Sequence, residues 1–186
     1  KGDIAALCKN DNHVSVPFVI ARDGTIYKLF DPACWSYHLG AGSKGGNETC
    51  SKSSIAIEIS NIGPLTLNGN NLMTAYNDKY CDKNETQYYQ ELQTEFRAHK
   101  YFATFTSEQY DSLNKLIDEL CSKFSIPKEL LSKDKRYKVF ESDDAAKKFK
   151  GISSHINYRD SGKWDIGEAF DWDKIVSATK TTASFP

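Results

Sequence analysis

The chain has 186 residues, a length that buries about 70% of the surface its unfolded form exposes, so neither metal nor disulfides are needed merely to fold. Hydrophobic residues make up 39% and charged residues 26%, which is globular composition and excludes a disordered chain. Lys+Arg is 24 and Asp+Glu 25, a formal net charge of −1 that argues against a nucleic-acid partner held by phosphate neutralisation; no apolar run approaches the ~18 residues of a membrane span.

In chain order, Asp3 reads as the N-cap of a short helix over 3–10 that ends in the polar run 9–12. The start at Lys1 reads as a chain cut from something longer. Val14–Ile20 is β-rich, and Arg22-Asp23-Gly24-Thr25 is a hairpin turn leading into a partner strand over Thr25–Phe30. Residues 39–52 are Gly-, Ser- and Lys-rich and read as a loop. Ser54–Ser60 alternates, with Ile55, Ile57 and Ile59 on one side and Ala56, Glu58 and Ser60 on the other.

Residues 63–105 hold turn signals and many aromatic residues without a clean period, and read as irregular structure wrapping the core, with room for short strands. The best helix is 107–124. Thr106-x-x-Gln109 is a capping-box pattern, and Tyr110, Leu113, Ile117, Leu120, Cys121 and Phe124 form one apolar stripe. Ile126-Pro127 ends it, Lys128–Leu131 reads as a turn of helix and Ser142–Phe149 as another short one. Gly151–Asp173 turns loop-like. Early strands followed by one long helix predict a single α/β domain over 1–186, with a mixed central sheet flanked by helices.

The five Cys (8, 34, 50, 81, 121) include no CxxC pair and are odd in number, which argues against a zinc ribbon or a dense disulfide scaffold. They read as free thiols, with Cys34–Cys50 a pairing that the Gly-rich loop between them allows.

The segment 153–172 is the richest in chemistry. His155 is followed by Lys163 eight residues on and Asp165 ten on. Imidazole and carboxylate are both zinc ligands, and a neighbouring ammonium can meet an oxyanion. The same residues also fit an ordinary hydrogen-bonded loop. Glu58, inside an otherwise apolar strand, faces either solvent or a cleft; in a cleft, desolvation would make it a natural general base. Of the four His, spacing singles out His155 and His38, leaving His13 before a strand and His99 as surface.

Together these stretches resemble the zinc-dependent N-acetylmuramoyl-L-alanine amidase family, which also holds the peptidoglycan recognition proteins and phage amidase lysozymes. Val14–Tyr27 resembles its hairpin, Trp35–Gly40 its Trp-His-Ala-Gly turn, Ser54–Gly63 its glutamate-bearing strand, Phe105–Pro127 its helix and His155–Trp172 its closing His–Lys–Asp segment, all in the family's order. The resemblance implies an enzyme that cleaves the amide between N-acetylmuramic acid and L-alanine in peptidoglycan, at the cell wall, reached by secretion, in the periplasm or by delivery. It implies zinc on His155 and Asp165, Glu58 as general base for the zinc-activated water, Lys163 on the tetrahedral intermediate, and His38, Trp35 and Asn61 along the substrate groove.

The departures are specific. The family's first zinc ligand is a His on an opening strand ahead of the first helix, and this chain starts at that helix. The expectation is an upstream segment, or another chain, supplying that strand and the third ligand, with His38 and then His13 as the substitutes within the chain. Pro17 stands where the family often has His, Ile166 replaces a Pro and Trp164 a small residue. The alternatives are a non-catalytic peptidoglycan-binding module of the same fold and, more distantly, an interaction domain with a structural metal.

Overall fold

The computed structural model describes residues 2–9 and 13–178. Two sheets organise them. The first is mixed: β1 (Phe18–Ile20) lies between β2 (Ile26–Lys28), antiparallel to it, and β3 (Ile57–Ile59), parallel to it. The hairpin turn is the expected one, with Gly24 at φ 82 and Ala21 N–H on the Thr25 carbonyl. In the β1–β3 register Phe18 lies beside Ile57, Val19 beside Glu58 and Ile20 beside Ile59. Alternation then decides the faces: Phe18, Ile20, Ile57 and Ile59 go to one apolar core, and Glu58 is left on the other side of the sheet.

That core is closed by α3 (Ser107–Phe124), the helix the sequence predicts, with the capping box Thr106/Gln109 in place. Its stripe of Tyr110, Leu113, Leu116, Ile117, Leu120 and Cys121 packs on the sheet. Each such aliphatic side chain contributes roughly 1.5–3 kcal/mol when fully buried. Gln109 is buried and does two jobs. Its Oε1 accepts from the Thr106 N–H at 3.2 Å and its Nε2 donates to the Ser60 carbonyl at 2.8 Å, tying the helix start to the end of β3.

Residues 64–103 correct the reading of this region as irregular. They form a second, antiparallel sheet in the order β6-β5-β4-β8-β7, from β4 (Pro64–Asn68), β5 (Asn71–Met73), β6 (Lys79–Asp82), β7 (Tyr89–Phe96) and β8 (His99–Ala103). Register shifts between Leu72 and Met73 and between Glu91 and Phe96 break the period-2 pattern, which is why no alternation shows in the sequence. The sheet has its own core around Leu65, Leu72, Cys81, Tyr89 and Tyr101.

The remaining elements are short. α1 is Gly2–Leu7, with Asp3 in its first turn rather than at its cap; positions 10–12 lie outside the described residues. α2 (Asn47–Lys52) occupies the second half of the stretch read as a loop. Residues 128–131 hold no helix: Leu130 bridges Ile152 instead. α4 (Asp143–Lys148) is capped by Ser142 as expected, and 3-10 turns cover His155–Asn157 and Trp172–Ala178. All five Cys are free, Cys34 exposed and Cys50 buried, so the Cys34–Cys50 pairing is not formed.

Candidate active site

The polar face of β3 looks onto the loop 155–165, and four of the seven singled-out residues interact there. His155 Nδ1 lies 2.9 Å from Asp165 Oδ2, while His155 Nε2 donates to the Leu39 carbonyl at 2.8 Å. A carbonyl only accepts, so Nε2 carries a proton. Nδ1 therefore faces a carboxylate with a lone pair unless a proton or a cation lies between them. This is how a metal-ligating His is commonly held: the second nitrogen bonded to backbone, the first aimed at the ion.

Glu58 completes the face. Burial, then the charges of Asp165 and Asp3, push its pKa up to about 7, against the opposing pull of Lys163 and His155. Asp3 owes its place to α1, where its carboxylate accepts from the Ser60 hydroxyl at 2.6 Å. The Asp165 side chain is 56% exposed. Desolvation raises its pKa, but the His155 hydrogen bond and the charges of His155 and Lys163 outweigh this and hold it below the ordinary carboxylate value. A carboxyl poised near neutrality thus stands on the same face as one held below its ordinary value, the pattern that separates a proton-transfer group from an electrostatic or ligating one.

The turn that pins His155 is built by residues the sequence reading passed over. The Asn47 side chain, at the start of α2, accepts from the Leu39 N–H at 3.2 Å, the Gly40 N–H at 3.0 Å and the Ser51 hydroxyl at 3.2 Å. This fixes the Leu39 carbonyl, which also receives Arg159 Nη1 at 3.3 Å. From the other side, buried Asn157 Nδ2 reaches the carbonyls of Lys135, Arg136 and Lys138, and its Oδ1 accepts from the Ser154 N–H at 2.8 Å. Neither Asn shows any signal beyond its residue type, because its partners lie in segments remote in the chain or come from backbone.

The predicted groove residues separate. Both His38 nitrogens are occupied, Nδ1 by the Ser36 carbonyl at 2.9 Å and Nε2 by the Ser54 hydroxyl at 3.0 Å. Burial pushes its pKa down; the Ser36 bond opposes this and the charge of His155 adds to it. Trp35 is exposed, with the Lys52 ammonium 4.8 Å over its ring and Tyr37 edge-on at 5.2 Å. Asn61 is spent on backbone: Nδ2 donates to Ala103 and Thr104 carbonyls and Oδ1 accepts from the Gly63 N–H, joining the end of β3 to the second sheet. His13 is exposed at φ 48, with its carbonyl taken by Tyr37 and Ser36. His99 is half-buried against Phe102 and Trp164, not on the open surface.

His155 and Asp165 thus fit two positions of a zinc site, and among the described residues no group of three or more His, Cys, Asp or Glu could hold a metal. Neither His38 nor His13 joins the pair in such a group.

Among the described residues no helix is long and apolar enough to cross a membrane. A search of curated proteins and of solved structures finds no match to the chain. The family model for N-acetylmuramoyl-L-alanine amidase, in contrast, matches residues 2–168, from α1 through the whole loop that carries His155, Lys163 and Asp165. The chain belongs to the N-acetylmuramoyl-L-alanine amidase family.

Proposed function

We propose that this protein hydrolyses the amide between the lactyl group of N-acetylmuramic acid and the L-alanine of the stem peptide, with zinc as cofactor. Family membership supports a peptidoglycan amidase; the observation that carries the finer reading is the His155–Asp165 pair, with Nε2 fixed on Leu39, on the same face as Glu58. Zinc held by His155 and Asp165 would polarise the scissile carbonyl and acidify a water. Glu58, whose burial favours its taking up a proton, takes the proton of the attacking water and returns it to the leaving amine. Lys163 meets the charge that develops on the carbonyl oxygen, an interaction strongest in the transition state.

Catalytic zinc sites use three protein ligands plus water. The reading therefore includes a third donor from outside the described residues. Among those residues β3 pairs with β1 alone, so the other edge of the strand that bears Glu58 is open to an added strand carrying that donor. The two-donor set is also what favours the second reading, a module of this fold that binds peptidoglycan without cutting it.

Digestion of purified peptidoglycan separates the two. The amidase reading expects soluble peptides with a new N-terminal L-alanine and no new reducing ends. Sedimentation of the protein with the wall, without any release while a known amidase works in parallel, establishes the binding module instead.

A further inference from the structure

The turn between β7 and β8 breaks the usual chemistry of a two-residue hairpin. Phe96 pairs with His99, leaving Arg97 and Ala98 as the two turn residues, at φ 50 and φ 66. Both positions need the left-handed region, where Asn-Gly or Asp-Gly is the favoured choice and residues with an ordinary Cβ are disfavoured. A strained turn with the wrong residues, kept by its surroundings, is a reason to ask what the side chains do.

The Arg97 guanidinium reaches across to the loop of the candidate active site. Nη1 donates to the Lys163 carbonyl at 2.5 Å, and Nη2 to the Arg159 carbonyl at 2.7 Å with a longer contact to Ile156 at 3.5 Å. Two neighbours reinforce the contact. His99 sets its ring edge-on to Trp164 at 5.4 Å, and buried Ile156 sits in one apolar cluster with Leu92, Phe96, Phe102 and Ala169. At Gly167 an added Cβ would lie 3.1 Å from the Phe102 ring, so the loop passes β8 closely enough that a side chain there would crowd that ring. These contacts hold the carbonyls of 156, 159 and 163 and the Trp164 ring, up to the residue before Asp165.

We infer that Arg97 is a positioning residue: the tip of the second sheet is a strut that fixes the backbone of the 156–165 loop, and through it the aim of Lys163 and Asp165. This rests on the proposed function for its catalytic consequence, but not for its mechanical one. The sheet of residues 64–103 thereby has a role at the site although it supplies none of the proposed catalytic or metal-binding side chains. A guanidinium suits the task because its rigid planar fork offers two separate nitrogens to carbonyls of different residues, where an ammonium offers one nitrogen on a flexible stem.

Arg97→Gly is the informative variant, because glycine keeps the left-handed turn while removing the clamp. Amide hydrogen exchange of the variant, read by mass spectrometry, should show 156–165 losing protection while α3 keeps it. In peptidoglycan digestion kcat should fall about 10–100-fold, the usual effect of losing a supporting contact, with KM changed far less. Arg97→Lys should recover part of both. Ala98→Gly, which relieves the turn without touching the clamp, should leave both readouts at the wild-type level. Unchanged exchange at 156–165 in Arg97→Gly overturns the strut, whether or not the wild type cleaves peptidoglycan. Loss of protection with unchanged kcat in an active enzyme overturns its link to catalysis. A wild type that cuts nothing defeats the proposed function alone and leaves the exchange result to judge the strut.

Discussion

Glu58 carries the most chemistry per residue. In the unfolded chain its carboxyl titrates near the ordinary 4.5; in the fold it titrates at about 7. A raised pKa means that the fold favours the protonated form, so this contribution is fully present below 4.5 and is lost as pH rises through 7. Glu58→Gln keeps the shape and removes the titration. The metal-free variant should therefore match the wild type near pH 4.5 and exceed it at pH 8, by at most about 3 kcal/mol, the value of a shift of this size. Denaturant unfolding at the two pH values measures this, and equal stability of variant and wild type at pH 8 would place Glu58 in solvent. The site was partly legible at this scale. A glutamate between two isoleucines and a His, Lys and Asp within ten residues are visible as letters. The carbonyl of Leu39, the amides of Asn47 and Asn157 and the guanidinium of Arg97 are not, because each acts on backbone brought close by folding alone.

Among the elements, α3 was legible to the residue. Its cap and its stripe are local patterns, and local patterns survive in a sequence. Its link to the site was not: Gln109 reads as the fourth letter of a capping box, yet it also binds the Ser60 carbonyl, two residues beyond Glu58. Gln109→Ala removes both and leaves buried groups on each element unpaired, which should cost about 2–3 kcal/mol by thermal or denaturant melting. A loss below about 1 kcal/mol would show that water replaces the Ser60 contact. α2 escaped notice because six residues after a run of glycines are too short to show a period. The second sheet escaped because two register shifts scramble its alternation, although the turn signals within 63–105 were readable.

At the scale of the molecule, two sheets meet at one loop. The mixed sheet presents Glu58, the antiparallel sheet braces the segment bearing Lys163 and Asp165, and α2 fixes the turn on which His155 rests. Among the described residues His155 and Asp165 are the two proposed donors, which would leave a zinc ion largely hydrated, so on the proposed reading residues 1–186 alone should lose zinc readily to a mild chelator; retention of one zinc per chain would place a third ligand within them. The central claim is that Glu58 moves the proton in amide hydrolysis, and the most direct measurement is release of peptides with N-terminal L-alanine from purified peptidoglycan by the protein at its full natural length, with zinc, as a function of pH. The account predicts that kcat/KM rises with pH as Glu58 loses its proton and that Glu58→Gln, with zinc content unchanged, releases about 10²–10⁴-fold less. Release by Glu58→Gln at the wild-type rate, with the same pH profile, would contradict it.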